Sequence, residues 1–171
     1  MKKPFLFITY FFLLFVFITF YFSLNKERVY NTENIIGKEI DKTELILFDN
    51  RKFSTSEISN YKYTLINFWA SWCGPCRKEH KNLMRLSKNK NLKIIGVNFK
   101  DDQNKAKDFL AELGNPFYIL TKDIDGKKSV DFGVYGIPES ILLNQDMTIL
   151  KKYIGPLDQK DVNEIKKIIK K

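Results

Sequence analysis

Both cysteines of the chain lie two residues apart, within Trp72-Cys73-Gly74-Pro75-Cys76. This stretch follows an apolar run from Tyr63 to Ala70, which predicts a buried strand, and it precedes a helical pattern. Two cysteines with this spacing in the first turn of a helix have their sulfur atoms within disulfide reach. A dithiol at such a strand–helix junction is typical of proteins that exchange electrons with the disulfides of other proteins.

The positions of the two cysteines predict different roles for them. Pro75 suits an early helical position because its φ is fixed, and with Gly74 it forms the loop between the two cysteines. The partial positive charge at a helix N-terminus favours a thiolate at Cys73. We therefore expect Cys73 to attack a substrate disulfide and Cys76, one turn into the helix, to resolve the mixed disulfide.

Three other uses of this cysteine pair fit the sequence less well. A structural disulfide between Cys73 and Cys76 closes a very short loop and would stabilise the fold little. A zinc site needs about four ligands, and the only histidine, His80, raises the count to three. Haem attachment requires Cys-x-x-Cys-His, but Arg77 follows Cys76. We expect no metal site and no cofactor other than the redox-active Cys73–Cys76 disulfide.

The N-terminal segment predicts a membrane anchor at residues 1–24. Residues 5–24 carry no charge, and this length spans a bilayer core as a helix. A cleaved signal peptide has a shorter apolar region and small residues at its cleavage site, whereas Phe22-Ser23-Leu24 is a poor site. An uncleaved single-pass anchor is therefore favoured, and a cleaved signal is the alternative.

Two arguments about the orientation of the anchor disagree. Basic residues favour a cytoplasmic C-terminal domain, because Lys2 and Lys3 precede the segment while Lys26, Arg28 and two further lysines follow it. Large domains, however, translocate largely regardless of loop charge. A tethered dithiol is also most useful on the oxidising side of the membrane, where disulfides persist. We therefore expect an inner (plasma) membrane protein with its catalytic domain in the periplasm.

The remainder of the chain is long enough for one domain with a real core. Its lysines are scattered, which indicates a solvated basic surface, and no pattern of stacking and basic residues predicts nucleic-acid binding. Residues 25–42 are predicted as a polar linker and residues 43–171 as the folded domain. Strands are predicted at 43–48, 63–69, 92–98, 117–120, 140–144 and 148–154, and helices at 75–88, near 102–113 and after Asp158. Ser54-Thr55-Ser56-Glu57 is predicted to cap a short helix. This order indicates an α/β fold with a mixed central sheet flanked by helices.

At this point the residues resemble a known family. The stretch Asn67-Phe68-Trp69-Ala70-Ser71-Trp72-Cys73-Gly74-Pro75-Cys76-Arg77 resembles the active-site signature of the thioredoxin superfamily. Further stretches resemble the membrane-anchored thiol:disulfide interchange proteins of cytochrome c maturation, the DsbE/CcmG family. They are Glu79-His80, Gly96 to Asp102, Gly114-Asn115-Pro116-Phe117 and Asp131 to Ser140. The resemblance covers residues 33–171 and implies a thioredoxin-like fold.

The resemblance implies a thiol:disulfide oxidoreductase that works in the reducing direction. Its substrate would be apocytochrome c or a cytochrome c maturation thiol protein, because haem attachment needs free thiols. With two cysteines in the chain, no second internal dithiol can recharge the first, so electrons would come from a transmembrane thiol donor. A general extracytoplasmic oxidase or isomerase, and a tethered thiol-binding chaperone, remain the alternatives.

The resemblance also assigns residues around the dithiol. Pro138 is expected to be a cis-proline that leaves the Ile137 backbone free to pair with a substrate strand. Asn67 replaces a buried aspartate that in thioredoxin handles the proton of the resolving thiol. We expect Glu79, three residues after Cys76, or Glu139 to take over that role.

The aromatic and basic neighbours have simpler interpretations. Trp72 is predicted to shield the thiol and contact partners, and Trp69 to lie in the core. Arg77 is expected to be solvated, and His80 to be a surface or capping residue. Tyr135 and Phe132 are either core residues or the lining of a partner groove.

Overall fold

The computed structural model describes residues 3–24 and 35–170. They belong to two compact units, which divide between residues 32 and 33. In the first unit, helix α1 spans Lys3–Leu24, and its side chains from 7 to 23 are exposed. Within the described ranges, no helix has both the length and the apolar character required to cross a membrane. The segment predicted as an anchor is thus helical, and its insertion into a membrane is not confirmed.

The second unit is built on a mixed sheet of seven strands within the described residues. The strands are β1 (Glu44–Leu47), β2 (Lys52–Ser54), β3 (Tyr63–Trp69), β4 (Leu92–Phe99), β5 (Ile119–Asp123), β6 (Glu139–Asn144) and β7 (Ile149–Ile154). Their order in the sheet is β2-β1-β5-β4-β3-β6-β7. Strands β3, β4 and β5 run parallel, and β1, β6 and β7 pair antiparallel with their neighbours.

Helices cover both faces of this sheet, and local capping residues set where most of them begin. Ser54 and Glu57 form the predicted capping box at the start of a 3-10 helix, Thr55–Asn60. Asp102 and Asp158 cap their helices by accepting backbone N–H bonds. The α-helices are α2 (Gly74–Leu86), α3 (Gln103–Leu113), α4 (Lys127–Asp131) and α5 (Gln159–Ile168).

Side-chain alternation along β3 divides the core into two clusters. Leu65 and Trp69 belong to one cluster, which includes both cysteines and apolar side chains of α2, α3 and α5. Ile66 and Phe68 belong to the other, on the opposite face of the sheet. That second cluster is completed by the 3-10 helix, by residues near 40 and by the segment before β6. The dithiol therefore lies on the α2 face of β3.

Most predicted elements are present, with four differences. β2 and α4 were not predicted, and β5 begins at Ile119 instead of Phe117 because Phe117 turns inward and stacks on Trp69. Residues 35–42 of the predicted linker are folded against β7, where Gly37 donates its N–H to the Ile149 carbonyl. The rest of that linker, residues 25–34, lies outside the described residues.

Candidate active site

The dithiol lies where β3 passes into α2, as the sequence predicts. Cys73 is the N-cap of α2, and its Sγ accepts a hydrogen bond from the Cys76 backbone N–H (3.2 Å). The two sulfur atoms are joined in a disulfide, so the structure represents the oxidised protein. Pro75 lies in the first turn of α2, where a missing N–H costs nothing. Both cysteines are buried, with Cys73 the more exposed (5% against 2%), as expected for the residue that meets a partner first.

Hydrogen bonds to the Asp101 side chain hold the loop before Cys73. The Asp101 carboxylate accepts from the Ser71 backbone N–H (2.6 Å), from the Ser71 hydroxyl (2.7 Å) and from the Asn98 amide (2.8 Å). Trp72 is 59% exposed, but its indole N–H donates to the Lys100 carbonyl (3.1 Å). The loop after β4 therefore fixes the position of residues 71 and 72, which precede Cys73, and the orientation of the Trp72 ring.

Glu79 lies behind the dithiol and is almost fully buried (1% exposed). One carboxylate oxygen accepts from the Asn67 amide (2.9 Å), and the other accepts from the Leu157 backbone N–H (2.7 Å). Glu79 follows Cys76 by three residues on α2, so the two residues share one helix face. A solvated glutamate at this position is excluded by the burial.

Burial raises the pKa of Glu79 from 4.5 to about 7, because water no longer stabilises the carboxylate. The two hydrogen bonds from Leu157 and Asn67 act in the opposite direction, and the nearby negative charge of Asp161 adds to the rise. A carboxyl group with a pKa close to neutral can accept and release a proton at physiological pH. Glu79 therefore has the ionisation behaviour that a proton carrier for a thiol requires.

Asn67 connects Glu79 to the sheet. It is fully buried on β3, and its amide nitrogen donates both to Glu79 and to the hydroxyl of Ser140 (3.0 Å), the residue paired with it on β6. Its carbonyl oxygen has no hydrogen-bond partner within the described residues. An amide cannot carry the proton, as the sequence indicates, but here it orients the carboxylate.

The Ile137–Pro138 peptide bond is cis, which confirms the sequence prediction. The Pro138 carbonyl accepts from the Gly155 N–H (3.0 Å), and two residues later Leu157 donates to Glu79. A single turn, 155–157, therefore contacts both the cis-proline and the buried carboxylate.

An open groove of about 570 Å³ adjoins this point. Its lining includes Ile137, the exposed ring of Tyr135 (77%), and Lys100, whose carbonyl holds Trp72. The groove thus lies beside both the cis-proline and the tryptophan that precedes Cys73.

The structure gives Glu139 partners other than the dithiol. Adjacent residues of a strand point to opposite faces, and Ser140 faces Asn67 and Glu79. Glu139 therefore points to the other face, where its carboxylate pairs with Lys152 (2.8 Å) and accepts from the backbone N–H of Tyr135 and Gly136. Of the two glutamates proposed from the sequence, Glu79 alone lies on the dithiol face of the sheet.

Comparisons with known proteins agree with this geometry. Residues 36–169 match the family model described as Redoxin. The chain is 40% identical over 126 residues to the thiol:disulfide interchange protein HelX of Rhodobacter capsulatus, covering 73% of this chain and 71% of that protein. It is 38% identical over 126 residues to DsbE of Escherichia coli, covering 72% and 68% respectively. The chain belongs to the redoxin family and, within it, to the DsbE-type thiol:disulfide interchange proteins.

Two further comparisons support the assignment. The thiol:disulfide interchange protein CycY of Rhizobium leguminosarum is 52% identical over 95 residues, a match that spans 56% of this chain and about half (51%) of that protein. A crystal structure of a candidate DsbE from Chlorobium tepidum superposes with a TM-score of 0.68 at 25% identity, covering 78% of this chain and 94% of that one. This DsbE-type protein therefore has a thioredoxin-like fold and is a thiol:disulfide oxidoreductase.

His80 and Arg77 follow α2 past the dithiol and contact α3. His80 is buried and not at the surface, and its ring Nε2–H donates to the carbonyl of Gly114, the C-cap residue of α3 (2.9 Å), which fits the capping alternative; burial also lowers the pKa of His80. Arg77 is exposed, as predicted, and it also pairs with Glu112 (2.7 Å) and lies over the Phe109 ring. These contacts fasten α2 to α3.

Two of the aromatic side chains Trp69, Phe132 and Tyr135 are packed in the core and one is exposed. Trp69 is in the core as predicted, stacked on Phe117. Phe132 packs on Phe68 in the second cluster, while Tyr135 is exposed at the groove.

Sequence reasoning missed two residues of this DsbE-type site. The first is Asp101, which accepts from the Ser71 N–H, while the adjacent Asp102 caps α3; the pair of adjacent aspartates was the available signal. The second is Lys152, which is buried in β7; a buried lysine needs a partner of opposite charge, and that partner is Glu139.

Proposed function

We propose that this chain is a membrane-anchored reductase that delivers electrons to apocytochrome c, or to a thiol protein that handles it, outside the cytoplasm. The observation that carries this proposal is the dithiol at the start of α2 with the buried Glu79 carboxylate behind it. DsbE-type relatives and the sequence stretches that resemble cytochrome c maturation proteins support the choice of client.

The reaction begins with the reduced dithiol. The Cys73 thiolate attacks one sulfur of the client disulfide, the client S–S bond breaks, and the departing client thiolate takes up a proton. Cys76 then loses its proton and attacks the Cys73 sulfur in the mixed disulfide. The mixed S–S bond breaks, and the second client thiol leaves. Two electrons have moved to the client, and the product is the Cys73–Cys76 disulfide of the present structure.

Glu79 would serve the second step. The thiol of Cys76 is buried and would be a poor nucleophile until deprotonated, since the thiolate is the attacking form. A carboxylate with a pKa of about 7 on the same helix face can accept that proton at neutral pH and later return it to the leaving thiolate.

The client would bind at the edge formed by Ile137 and Pro138. An extended segment can pair with the free backbone there and continue into the adjoining groove, which contributes apolar, basic and acidic side chains. Backbone pairing tolerates different client sequences, whereas the groove supplies selectivity.

The reducing direction fits the Gly74-Pro75 pair. Thioredoxin, which has the same two residues between its cysteines, is a reductant with a potential near −270 mV. Because the chain has two cysteines, re-reduction requires an external donor, for which we propose a transmembrane thiol protein. The redox group is the cysteine pair itself, and the proposed chemistry needs no further cofactor.

The proposed location rests on the N-terminal sequence. Residues 5–24 lack charge over a length that suits a bilayer core, and all of them belong to α1. Anchoring in the inner membrane with the dithiol in the periplasm would hold the reductase where cytochrome thiols are at risk of oxidation.

A trapping experiment in native membranes tests this function. Cys76→Ser keeps the attacking thiol and removes the resolving one, so mixed disulfides with clients accumulate and can be identified after non-reducing electrophoresis. The double variant Cys73→Ser/Cys76→Ser is the matched control and should trap nothing.

Capture of apocytochrome c or of its thiol partner supports the proposal. Capture of many unrelated secreted proteins would instead favour a general oxidase or isomerase. Stable binding without any mixed disulfide would favour a thiol-binding chaperone.

A further inference from the structure

A buried ion pair lies on the face of the sheet that does not carry the dithiol. Lys152 Nζ and Glu139 Oε2 are 2.8 Å apart, and each side chain is only 4% exposed. Lys152 also donates to the Gly133 carbonyl (2.7 Å), while Glu139 Oε1 accepts from the N–H groups of Tyr135 (3.1 Å) and Gly136 (3.2 Å). The two side chains together thus hold three points of one short loop, 133–136.

This loop leads directly into the cis Ile137–Pro138 bond. The two side chains that hold the loop come from paired strands. Lys152 on β7 lies opposite Ile141, which is two residues from Glu139 on β6. A loop that contains two glycines has many accessible backbone conformations. The buried pair restricts these conformations from the sheet side, so the loop presents Ile137 and Tyr135 in one arrangement.

Stability by itself does not account for such a pair. Burying a lysine and a glutamate carries a large desolvation penalty, and replacing a buried ion pair by apolar residues is often neutral or stabilising. The contacts made by the charged atoms point to a different role, since they converge on the backbone next to the cis-proline.

We propose that Lys152 is a positioning residue that acts through Glu139 to hold loop 133–136 and thereby aligns the client-binding edge at Ile137–Pro138. This inference rests on the proposed function, in which a client disulfide binds at that edge. The dithiol chemistry lies on the opposite face of the sheet, with Glu79. Loss of the pair should therefore weaken binding of a peptide client and leave the reactivity of the dithiol itself unchanged.

The test compares three forms of the full-length protein in detergent: the wild type, the double variant Glu139→Gln/Lys152→Met, and the control Lys151→Met. The double variant removes both charges together, so that neither is left buried without a partner. Lys151 is the adjacent lysine on β7, it is half-buried, and it pairs with Glu164 at the surface (3.0 Å). Equal unfolding transitions establish that the variants are folded.

Two kinetic measurements separate positioning from chemistry. One is the rate at which dithiothreitol reduces the Cys73–Cys76 disulfide, which needs no peptide edge. The other is kcat and KM for reduction of a synthetic Cys-x-x-Cys peptide disulfide. We expect KM for the peptide to rise about tenfold in the double variant, with kcat and the dithiothreitol rate within about twofold of wild type. Lys151→Met should match the wild type in every measurement.

A third measurement does not depend on client turnover. Amide hydrogen exchange at Tyr135 and Gly136 reports whether the loop is held, and it should accelerate about tenfold or more in the double variant. Should that variant not fold, Glu139→Gln alone takes its place, with a smaller rise in KM and the same faster exchange.

Unchanged exchange at 135 and 136, or an unchanged KM with faster exchange, would overturn the inference. A parallel fall of the peptide and dithiothreitol rates would do so as well, because it would indicate a general structural role. If the wild type reduces no peptide at all, the proposed function fails, and amide exchange still decides whether Lys152 holds the loop.

Discussion

Replacing Glu79 by glutamine removes a buried group that ionises near neutral pH and keeps a side chain of almost the same shape. The glutamine carbonyl can accept from the Leu157 N–H, as the carboxylate does. Its amide nitrogen would then face Asn67, whose unpartnered carbonyl oxygen becomes available as an acceptor if the Asn67 amide turns over. Glutamine at this site therefore resembles the protonated form of Glu79 at every pH.

The pKa of Glu79 sets the size of the expected effect. The folded protein holds this proton up to a pH of about 7, whereas a glutamate exposed to water in the unfolded chain loses it near 4.5. Stability from the protonated form is therefore complete below pH 4.5 and is lost as the pH rises to 7, because the folded state binds more protons throughout that window. At about 1.4 kcal/mol per pH unit, the gap between 4.5 and about 7 amounts to about 3 kcal/mol.

The assay is guanidinium denaturation of the oxidised full-length protein in detergent, followed by tryptophan fluorescence at pH 4.5 and pH 8. Glu79→Gln should gain about 3 kcal/mol in unfolding free energy relative to the wild type between those two values. Glu112→Gln, which changes an exposed glutamate that pairs with Arg77, is the control and should shift by less than about 1 kcal/mol. A shift below about 1 kcal/mol for Glu79→Gln, or a shift of opposite sign, would refute the assignment of Glu79 as a carboxyl with a raised pKa.

Three other predictions follow from the same contacts. Asp101→Ala leaves the Ser71 N–H and hydroxyl without their acceptor and should lower the unfolding free energy by about 2 kcal/mol in the same denaturation assay. A change below about 0.5 kcal/mol would show that Asp101 does not hold the loop before Cys73. The single histidine, His80, should titrate below the usual histidine value of 6.5 in a proton NMR titration because burial lowers its pKa, and a midpoint at or above 6.5 would show that it is not held in the core. Gly96→Ala would place a Cβ 2.7 Å from the Phe117 ring and should cost about 1–3 kcal/mol, measured by thermal unfolding; an unchanged Tm would mean that the ring moves freely.

Strong local signals made the centre of the fold predictable. β3 is a mostly apolar run with the predicted bounds, and α2 has Pro75 at an early position, where proline is favoured. The capping box at Ser54 and the cap at Asp158 also come from short-range chemistry that a sequence displays directly. Because the dithiol lies between two such elements, its place in the fold followed from them.

Short elements and segments with mixed signals were harder to predict. β2 has three residues and α4 has five, which is too few for a hydrophobic period to be recognised. The segment 117–120 has the composition of a strand throughout. Only the stacking of Phe117 on Trp69 in the folded protein keeps its first two residues out of β5. Residues 35–42 look polar, but their backbone bonds to β7 make them part of the domain.

The sequence alone could not decide whether Glu79 or Glu139 lies on the dithiol face of the sheet. Both were plausible neighbours of the dithiol, since one follows Cys76 and the other follows Pro138. Distance along the chain does not say which face of a sheet a strand residue occupies, and that depends on register. The pairing of Asn67 with Ser140 decides it: Ser140 faces α2, so Glu139 must face away.

Because of this register, the two faces of the sheet make different contacts next to the cis-proline. On the α2 face, Asn67 orients the carboxylate of Glu79, which shares a helix face with Cys76. On the other face, Glu139 and Lys152 contact the loop that leads into the cis Ile137–Pro138 bond. Because neighbouring residues of β6 must point in opposite directions, Glu139 and Ser140 each serve one face. The same strand therefore contacts the proposed proton carrier on one face and the residues that hold the loop before the cis-proline on the other.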